Sequence, residues 1–249
     1  MKNKYNVIIA ILIIILAIGI FLVGTQLLTN DNSQNTPISN SNATSREVIS
    51  NSSDDPGSVE VIKNVGNPNG EKIAYVVGVH PLEHEVHETL VKLLPQTDNL
   101  NYSYDIYIIN VTDDVGQYGA GYSDQSDPGR QNGQNLAYKY VYPKIVNGSY
   151  KAAIDVHSNI GAYPFKTFVF SPVNEGSGEK YASDVASKCE NISYYSPEST
   201  TSGPYLTIPL NEHGIPAFYF EEYSFADQST KNMHVKELIK AVDSLNFKN

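Results

Sequence analysis

The stretch KIAYVVGVHPLEHEVHETLVKLL (residues 72–94) constrains the fold of this chain more than any other. Residues 73–79 are a β-branched and aromatic run of strand length, which reads as a buried strand. Beyond it Leu82, Val86, Leu90, Leu93 and Leu94 recur close to helical spacing. Pro81 suits the first turn of a helix, where its missing N–H has no partner to lose. His80 therefore stands where a strand ends and a helix begins, with Glu83 one turn further on. Ligands bind along that edge in open α/β sheets. An imidazole and a carboxylate three residues apart on one face can reach the same metal ion.

The rest of the chain repeats the alternation. Residues 58–65, 102–111, 152–156, 166–170, 192–195 and 217–220 read as further strands, and residues 135–146, 178–189 and 235–245 as helices. NPNG (67–70) and EHGIP (212–216) read as turns. Residues 113–134, rich in Gly, Asp, Ser and Tyr, read as a long loop, and such loops inside compact domains are mostly functional or disordered. Strands alternating with helices predict an α/β fold, a three-layer sandwich around a mixed, largely parallel central sheet. Residues 57–249 suffice for one domain of this kind.

Two segments of different character precede that domain. Residues 7–28 carry no charged side chain over 22 positions. At about 1.5 Å per residue a helix there spans roughly 33 Å, enough for a bilayer core of about 30 Å. Lys2 and Lys4 precede it and Thr29-Asn30-Asp31 follows. The positive-inside rule then keeps the N-terminus in the cytoplasm and sends the remainder outside. A cleaved signal peptide is the competing reading, but its apolar region is normally shorter and no clear A-x-A site is present. Residues 29–56 are rich in Asn, Ser, Thr and Asp and too poor in apolar surface to offset the entropy of ordering, which predicts a flexible tether. The expected organisation is a transmembrane helix (1–28), a tether (29–56) and a globular domain (57–249) outside the cell membrane. Sequons at Asn42, Asn51, Asn101, Asn110, Asn147 and Asn191 are compatible with export. Cys189 is the only cysteine, so no intrachain disulfide is available. A formal net charge of −10 argues against nucleic acid or anionic lipid as a main partner.

Three sets of candidate ligands or bases follow predicted strands. They are His80 with Glu83, His157 in DVHS (155–158), and Glu221-Glu222 after AFYF (217–220). Strand ends of one sheet converge in space however far apart they lie in sequence. Two histidines and a carboxylate make a catalytic zinc set with one position left for water, and a further glutamate can take that water's proton. Singly, each residue has a plainer reading. His157 alone is a hydrogen-bonded polar residue, Glu83 a solvent-facing helix residue, and Glu221-Glu222 a solvated strand end. Their joint occurrence in this order favours the metal. Successive strand residues face opposite ways, so only one of Glu221 and Glu222 can point into a site.

Taken together, VGVHPLE (77–83), DVHS (155–158) and IPAFYFE (215–221) resemble the motifs of the zinc carboxypeptidase superfamily, including its succinylglutamate desuccinylase and aspartoacylase branch. The resemblance spans residues 59–245. It implies zinc as cofactor, His80, Glu83 and His157 as its ligands, and Glu221 as general base and acid. It also implies a peptide or N-acyl amino acid substrate, and an outward-facing tethered domain suits a cell-wall peptide. Family members carry arginine and asparagine between the first two motifs, to hold a substrate carboxylate and polarise the scissile carbonyl. That implies Arg130 and Asn135 for substrate binding, with Arg130 also catalytic. The family's adjacent Asn-Arg pair is absent, which leaves exopeptidase, endopeptidase and deacylase activity open. Asp155, bracing His157 or a backbone turn, and Tyr205, near the leaving group, are further candidates.

Two rival readings remain. HPLEH (80–84) also fits the inverzincin pattern, with His80 and His84 on zinc and Glu83 as base. The strand before it and Pro81 at the helix start fit the first layout better. The second rival is a non-enzymatic domain that binds cell-surface peptides or glycans. The incomplete arginine set and the Tyr-rich loop at 118–122 favour it; retention of both histidines and both glutamates speaks against it.

Overall fold

The computed structural model describes residues 44–114 and 128–247. The apolar run at 7–28 and most of the expected tether lie outside them. Among the described residues no helix is long and apolar enough to cross a membrane.

Eight strands form one sheet: β1 (Ser45–Ser50), β2 (Gly57–Gly66), β3 (Lys72–Val77), β4 (Ser103–Val111), β5 (Tyr150–Asn159), β6 (Phe168–Phe170), β7 (Ser193–Tyr194) and β8 (Ala217–Tyr223). Their spatial order is β1-β2-β4-β3-β5-β8-β6-β7. The central four, β4, β3, β5 and β8, are parallel, and antiparallel pairs flank them at β1–β2, β2–β4 and β6–β8. Helices α1 (His84–Leu93), α2 (Pro128–Leu136), α3 (Tyr142–Val146), α4 (Ser177–Ala186), α5 (Thr207–Glu212) and α6 (Gln228–Asp243) complete the fold. Residues Ala137–Val141, between α2 and α3, are π-helical.

Alternation along β3 sorts its side chains into two cores. Ile73, Tyr75 and Val77 pack with Val86 and Leu90 of α1 and Val235, Leu238 and Val242 of α6. Ala74 and Val76 face the other way, toward Leu136, Val141, Ile145 and Leu210. A strand buried on both faces between helical layers gives the three-layer mixed α/β sandwich the sequence predicts. Each fully buried Val, Leu or Ile contributes about 1.5–3 kcal/mol relative to exposure, and these two cores contain many of them.

Besides α5, which the sequence reading lacks, and α6, which begins seven residues earlier than expected, two segments depart from it in kind. Ser45–Ser50, inside the expected tether, is the edge strand β1 and is largely solvent-exposed. It is held by its ladder to β2 and by ion pairs Arg46–Glu60 and Lys63–Glu47. Apolar burial, the signal that composition carries, contributes little there. The second departure is the C-terminal end of the expected loop at 113–134, where Pro128–Leu136 is helical. Glycine lowers its helix propensity, but Gly133 meets a steric need: a Cβ there would lie 2.0 Å from the Val79 carbonyl oxygen. The helix crosses that close to the end of β3.

Candidate active site

The site begins at Gly78, directly after β3. Its φ is +87°, and a Cβ would lie 1.9 Å from the Ile109 carbonyl oxygen, so only glycine lets the chain turn there. Two residues later His80 leads into a 3₁₀ turn, Pro81–Glu83, which carries Glu83 back toward the sheet before α1 starts. Both side chains are buried, at 4% exposure each. On the neighbouring strand β5, His157 projects to meet them and is buried as well.

Three donor groups now converge. His80 Nδ1 lies 2.9 Å from Glu83 Oε1, His157 Nδ1 lies 2.9 Å from Glu83 Oε2, and the two Nδ1 atoms are 3.0 Å apart. One ligand atom from each residue falls within 4.8 Å of the others, the arrangement of a metal site. Behind His157, Asp155 Oδ1 stands at ion-pair distance, 3.1 Å from Nε2, and neither Asp155 oxygen nor Nε2 has a hydrogen-bond partner. Ser158 donates its backbone N–H to Glu83 Oε2 at 2.9 Å. The Gln134 amide stands 3.2 Å from His80 Nε2. Turned so that its oxygen accepts Nε2–H, it leaves the Nδ1 lone pair pointing into the site.

The electrostatics follow from burial. Desolvation brings His80 down to about 3, so its imidazole is neutral. Burial also opposes charge on Glu83, but His80 and His157 more than offset it and hold the carboxyl well below the carboxylate range. Burial lowers His157 too, and the carboxylates of Asp155 and Glu83 outweigh that and raise it well above the usual histidine value.

Glu221 completes the cavity. It is paired in register with His157 across the β5–β8 ladder. Its Oε2 is shielded from solvent with no hydrogen-bond partner, and burial pushes its carboxyl up to about 8. Together with His80, Glu83 and His157 it lines a cavity of about 230 Å³. Arg130, in the first turn of α2, reaches this cavity, donating to Glu83 Oε1 and Thr201 Oγ1 at 3.3 Å each. The sequence places Arg130 in a loop; the glycine-poor packing surface that would have revealed a helix is missing around it.

Glu222 faces the opposite side of β8. It is fully buried and accepts from His234 Nδ1 at 2.9 Å, Thr167 Oγ1 at 3.1 Å and the Tyr223 N–H at 2.9 Å. The alternation that leaves the pair Glu221-Glu222 undecided in sequence is resolved by which face meets the cavity. Burial pulls the His234 imidazole down, and Glu222 more than reverses this, so its value is raised. Removing one partner of a buried pair costs about 3–5 kcal/mol. Glu222→Ala is expected to lower stability on that scale in urea titrations. The share due to the charged pair is fully present below the ordinary histidine value of about 6.5 and is lost as pH rises through the raised His234 value.

Other sequence candidates fall elsewhere. Asn135 lies on the exposed face of α2, accepting from Gln131 at 2.9 Å, and does not line the cavity. Helical spacing puts Gln134, not Asn135, on the inner face beside His80. Tyr205 accepts from Gln131 at 2.9 Å and also lies off the cavity. His84 is exposed and pairs with Glu88 at 3.5 Å, while His87 Nε2 bonds the Val156 carbonyl at 2.9 Å. Neither joins the three ligands, so the inverzincin arrangement is not the one formed. Residues of the cavity that the sequence reading missed are Tyr163, the hydroxyl run Ser199–Ser202 and Tyr219. Tyr163 and the hydroxyl run sit in connections whose paths no periodicity encodes, whereas Tyr219 lies on β8 itself.

Comparison with sequence-family models and with curated proteins finds no match for the chain. Among solved structures the chain shares its fold with the two proteins that follow. The tripeptide-bound cell-shape determinant Csd4 of Helicobacter pylori superposes with a TM-score of 0.52 at 13% identity, over 74% of this chain and 54% of that one. A metallo-carboxypeptidase of Burkholderia cenocepacia gives 0.51 at 12% identity, over 80% of this chain and 63% of that one. The chain therefore spans between half and two thirds of the length of these proteins. At such identities the likeness is one of fold.

Proposed function

We propose that this chain is a zinc hydrolase that cleaves a peptide or N-acyl amide bond outside the cytoplasmic membrane, anchored by residues 7–28 and spaced from it by the residues that follow. The observation that carries the activity is the convergence of His80, Glu83 and His157 beside the unpartnered Oε2 of Glu221. The residues fit zinc: two Nδ1 atoms directed at each other 3.0 Å apart are satisfied by one shared cation better than by one shared proton. A carboxylate and two imidazoles are a common donor set for that metal, and they leave a coordination position open.

His80 and His157 would hold zinc through Nδ1 and Glu83 through its carboxylate. When bound, zinc polarises a carbonyl and acidifies a water molecule. Glu221, which burial pushes up to about 8, would be lower beside such a cation and would then accept a proton at neutral pH. Glu221 then removes a proton from the attacking water as its oxygen bonds to the carbonyl carbon. It delivers that proton to the nitrogen as the C–N bond breaks. Arg130 either grips a substrate carboxylate or stabilises charge on the carbonyl oxygen. The tripeptide in the Helicobacter pylori structure supports a peptide as substrate class.

Two measurements test this. The purified full-length chain is expected to contain zinc and to hydrolyse members of a panel of peptides and N-acyl amino acids. Absence of both, with peptide binding retained, would favour the non-enzymatic domain. Protease added to intact cells is expected to remove the domain; full protection until the membrane is permeabilised would place it inside.

A further inference from the structure

We propose that aromatic residues on the β5–β6 and β8–α6 connections form a docking rim for an extended peptide substrate, receiving the portion on the amino side of the scissile bond. This rests on the hydrolase reading above. Six large apolar side chains are exposed among the described residues, and half of them, Ile160, Phe165 and Phe225, belong to these two connections. Their exposures are 39%, 44% and 60%.

The rim is continuous with the cavity. Phe165 contacts the Tyr195 ring at 5.9 Å between centroids, and Tyr195 contacts Tyr163 at 6.0 Å. Phe225 meets Tyr223 at 5.7 Å, and Lys166 Nζ, next to Phe165 in the chain, lies 4.4 Å over the Tyr223 ring. Ile160 and Tyr163 themselves line the cavity beside Glu221. A chain of ring contacts thus leads from Tyr163 at the cavity wall out to Phe165, and Lys166 ties it to the Tyr223–Phe225 pair.

The backbone that presents these rings is fixed. Ser224 donates its N–H to the Asn159 carbonyl at 2.8 Å, and Asn159 Nδ2 donates to the Lys166 carbonyl at 2.9 Å. The Gly161 N–H is bonded to Asn159 Oδ1 at 2.9 Å. Rigidly held aromatic side chains lose less entropy on being covered than mobile ones do, and clustered exposure of this kind marks a binding surface. Of the two roles proposed for Arg130, the grip on a substrate carboxylate, with Thr201 beside it, is the one that sets the direction of the substrate. A peptide with its carboxyl end there must carry its amino-side residues out of the cavity, and the rim offers apolar side chains a place to lie.

The chain contains no tryptophan, so Phe225→Trp creates a single fluorescent reporter on the rim. In the zinc-loaded full-length chain, an acetylated hexapeptide with Leu and Phe on its amino side should shift that emission to the blue. An acetyl-dipeptide with the same carboxy-terminal residue should not. By fluorescence anisotropy of the labelled hexapeptide, Phe165→Ser/Phe225→Ser should weaken binding about tenfold, as loss of exposed aromatic anchors does. Its dipeptide binding and thermal melting should match wild type. Binding needs no turnover, so hexapeptide affinity that depends on the rim without hydrolysis overturns only the hydrolase reading. Equal hexapeptide affinity of variant and wild type overturns the rim. So does loss of a dimer in the variant by sedimentation, or quenching of the tryptophan by brominated lipid in proteoliposomes, with hexapeptide affinity unchanged.

Discussion

Replacing His80, Glu83 or His157 by Ala is expected to abolish stoichiometric zinc binding and with it all hydrolysis. His84→Ala and His87→Ala should retain the metal, since the first faces solvent and the second is committed to the Val156 carbonyl. Asp155→Ala should be intermediate. It leaves the ligands in place but removes the carboxylate behind His157 Nε2, and such outer partners are worth about 10–100-fold in metal affinity. Zinc must also compete with a proton. The carboxylates of Asp155 and Glu83 raise His157 and so favour a proton on the ring that zinc has to displace. Loading the metal-free chain with zinc in weak buffer should therefore release a proton, and affinity should weaken as pH falls. Elemental analysis, zinc titration and a pH electrode check these outcomes. Zinc lost from His84→Ala but kept by His157→Ala would return the inverzincin arrangement.

Glu221→Gln should behave differently, keeping both fold and zinc while turnover falls by about 10²- to 10⁴-fold, the usual share of a general acid–base group. Arg130 acts on charge in the substrate, so Arg130→Ala should weaken both binding and turnover. Arg130→Lys should recover part of the loss, because an ammonium cannot reproduce the planar fork. A substrate whose carboxyl end is amidated separates its two roles. If Arg130 holds a carboxylate, variant and wild type should cleave the amidated substrate about equally; a persisting defect assigns it to the carbonyl. Full activity of both Glu221→Gln and Arg130→Ala would sink this division of labour.

Much of this architecture was legible before any coordinates, for a physical reason. Strands such as Lys72–Val77 and Ala217–Tyr223 are buried on both faces, so their apolar runs are dense and their ends sharp. His80 and Glu83 sit just beyond β3, His157 and Glu221 within the last three residues of β5 and β8, and the parallel sheet brings these C-terminal ends together. What escaped was whatever does not depend on apolar burial. β1 is held by a ladder and ion pairs, α2 is a glycine-bearing helix shaped by contact with Val79, and the walls of the cavity come from irregular connections. Asn135 was one position off because a family motif fixes neighbourhood, whereas the face of a helix depends on register.

The pairing of His157 with Glu221 across adjacent strands has a consequence for how this scaffold could be altered. Neighbouring strands lie about 4.8 Å apart, a spacing set by backbone hydrogen bonds and not by the side chains they carry. The offset between the His157 and Glu221 backbones is thereby a property of the sheet, out of reach of any substitution that leaves the ladder intact. On the proposed function, selectivity belongs to the connections that hold Tyr163, Thr201 and Phe225. A laboratory library aimed at new amide substrates should diversify those connections freely and leave β5 and β8 untouched.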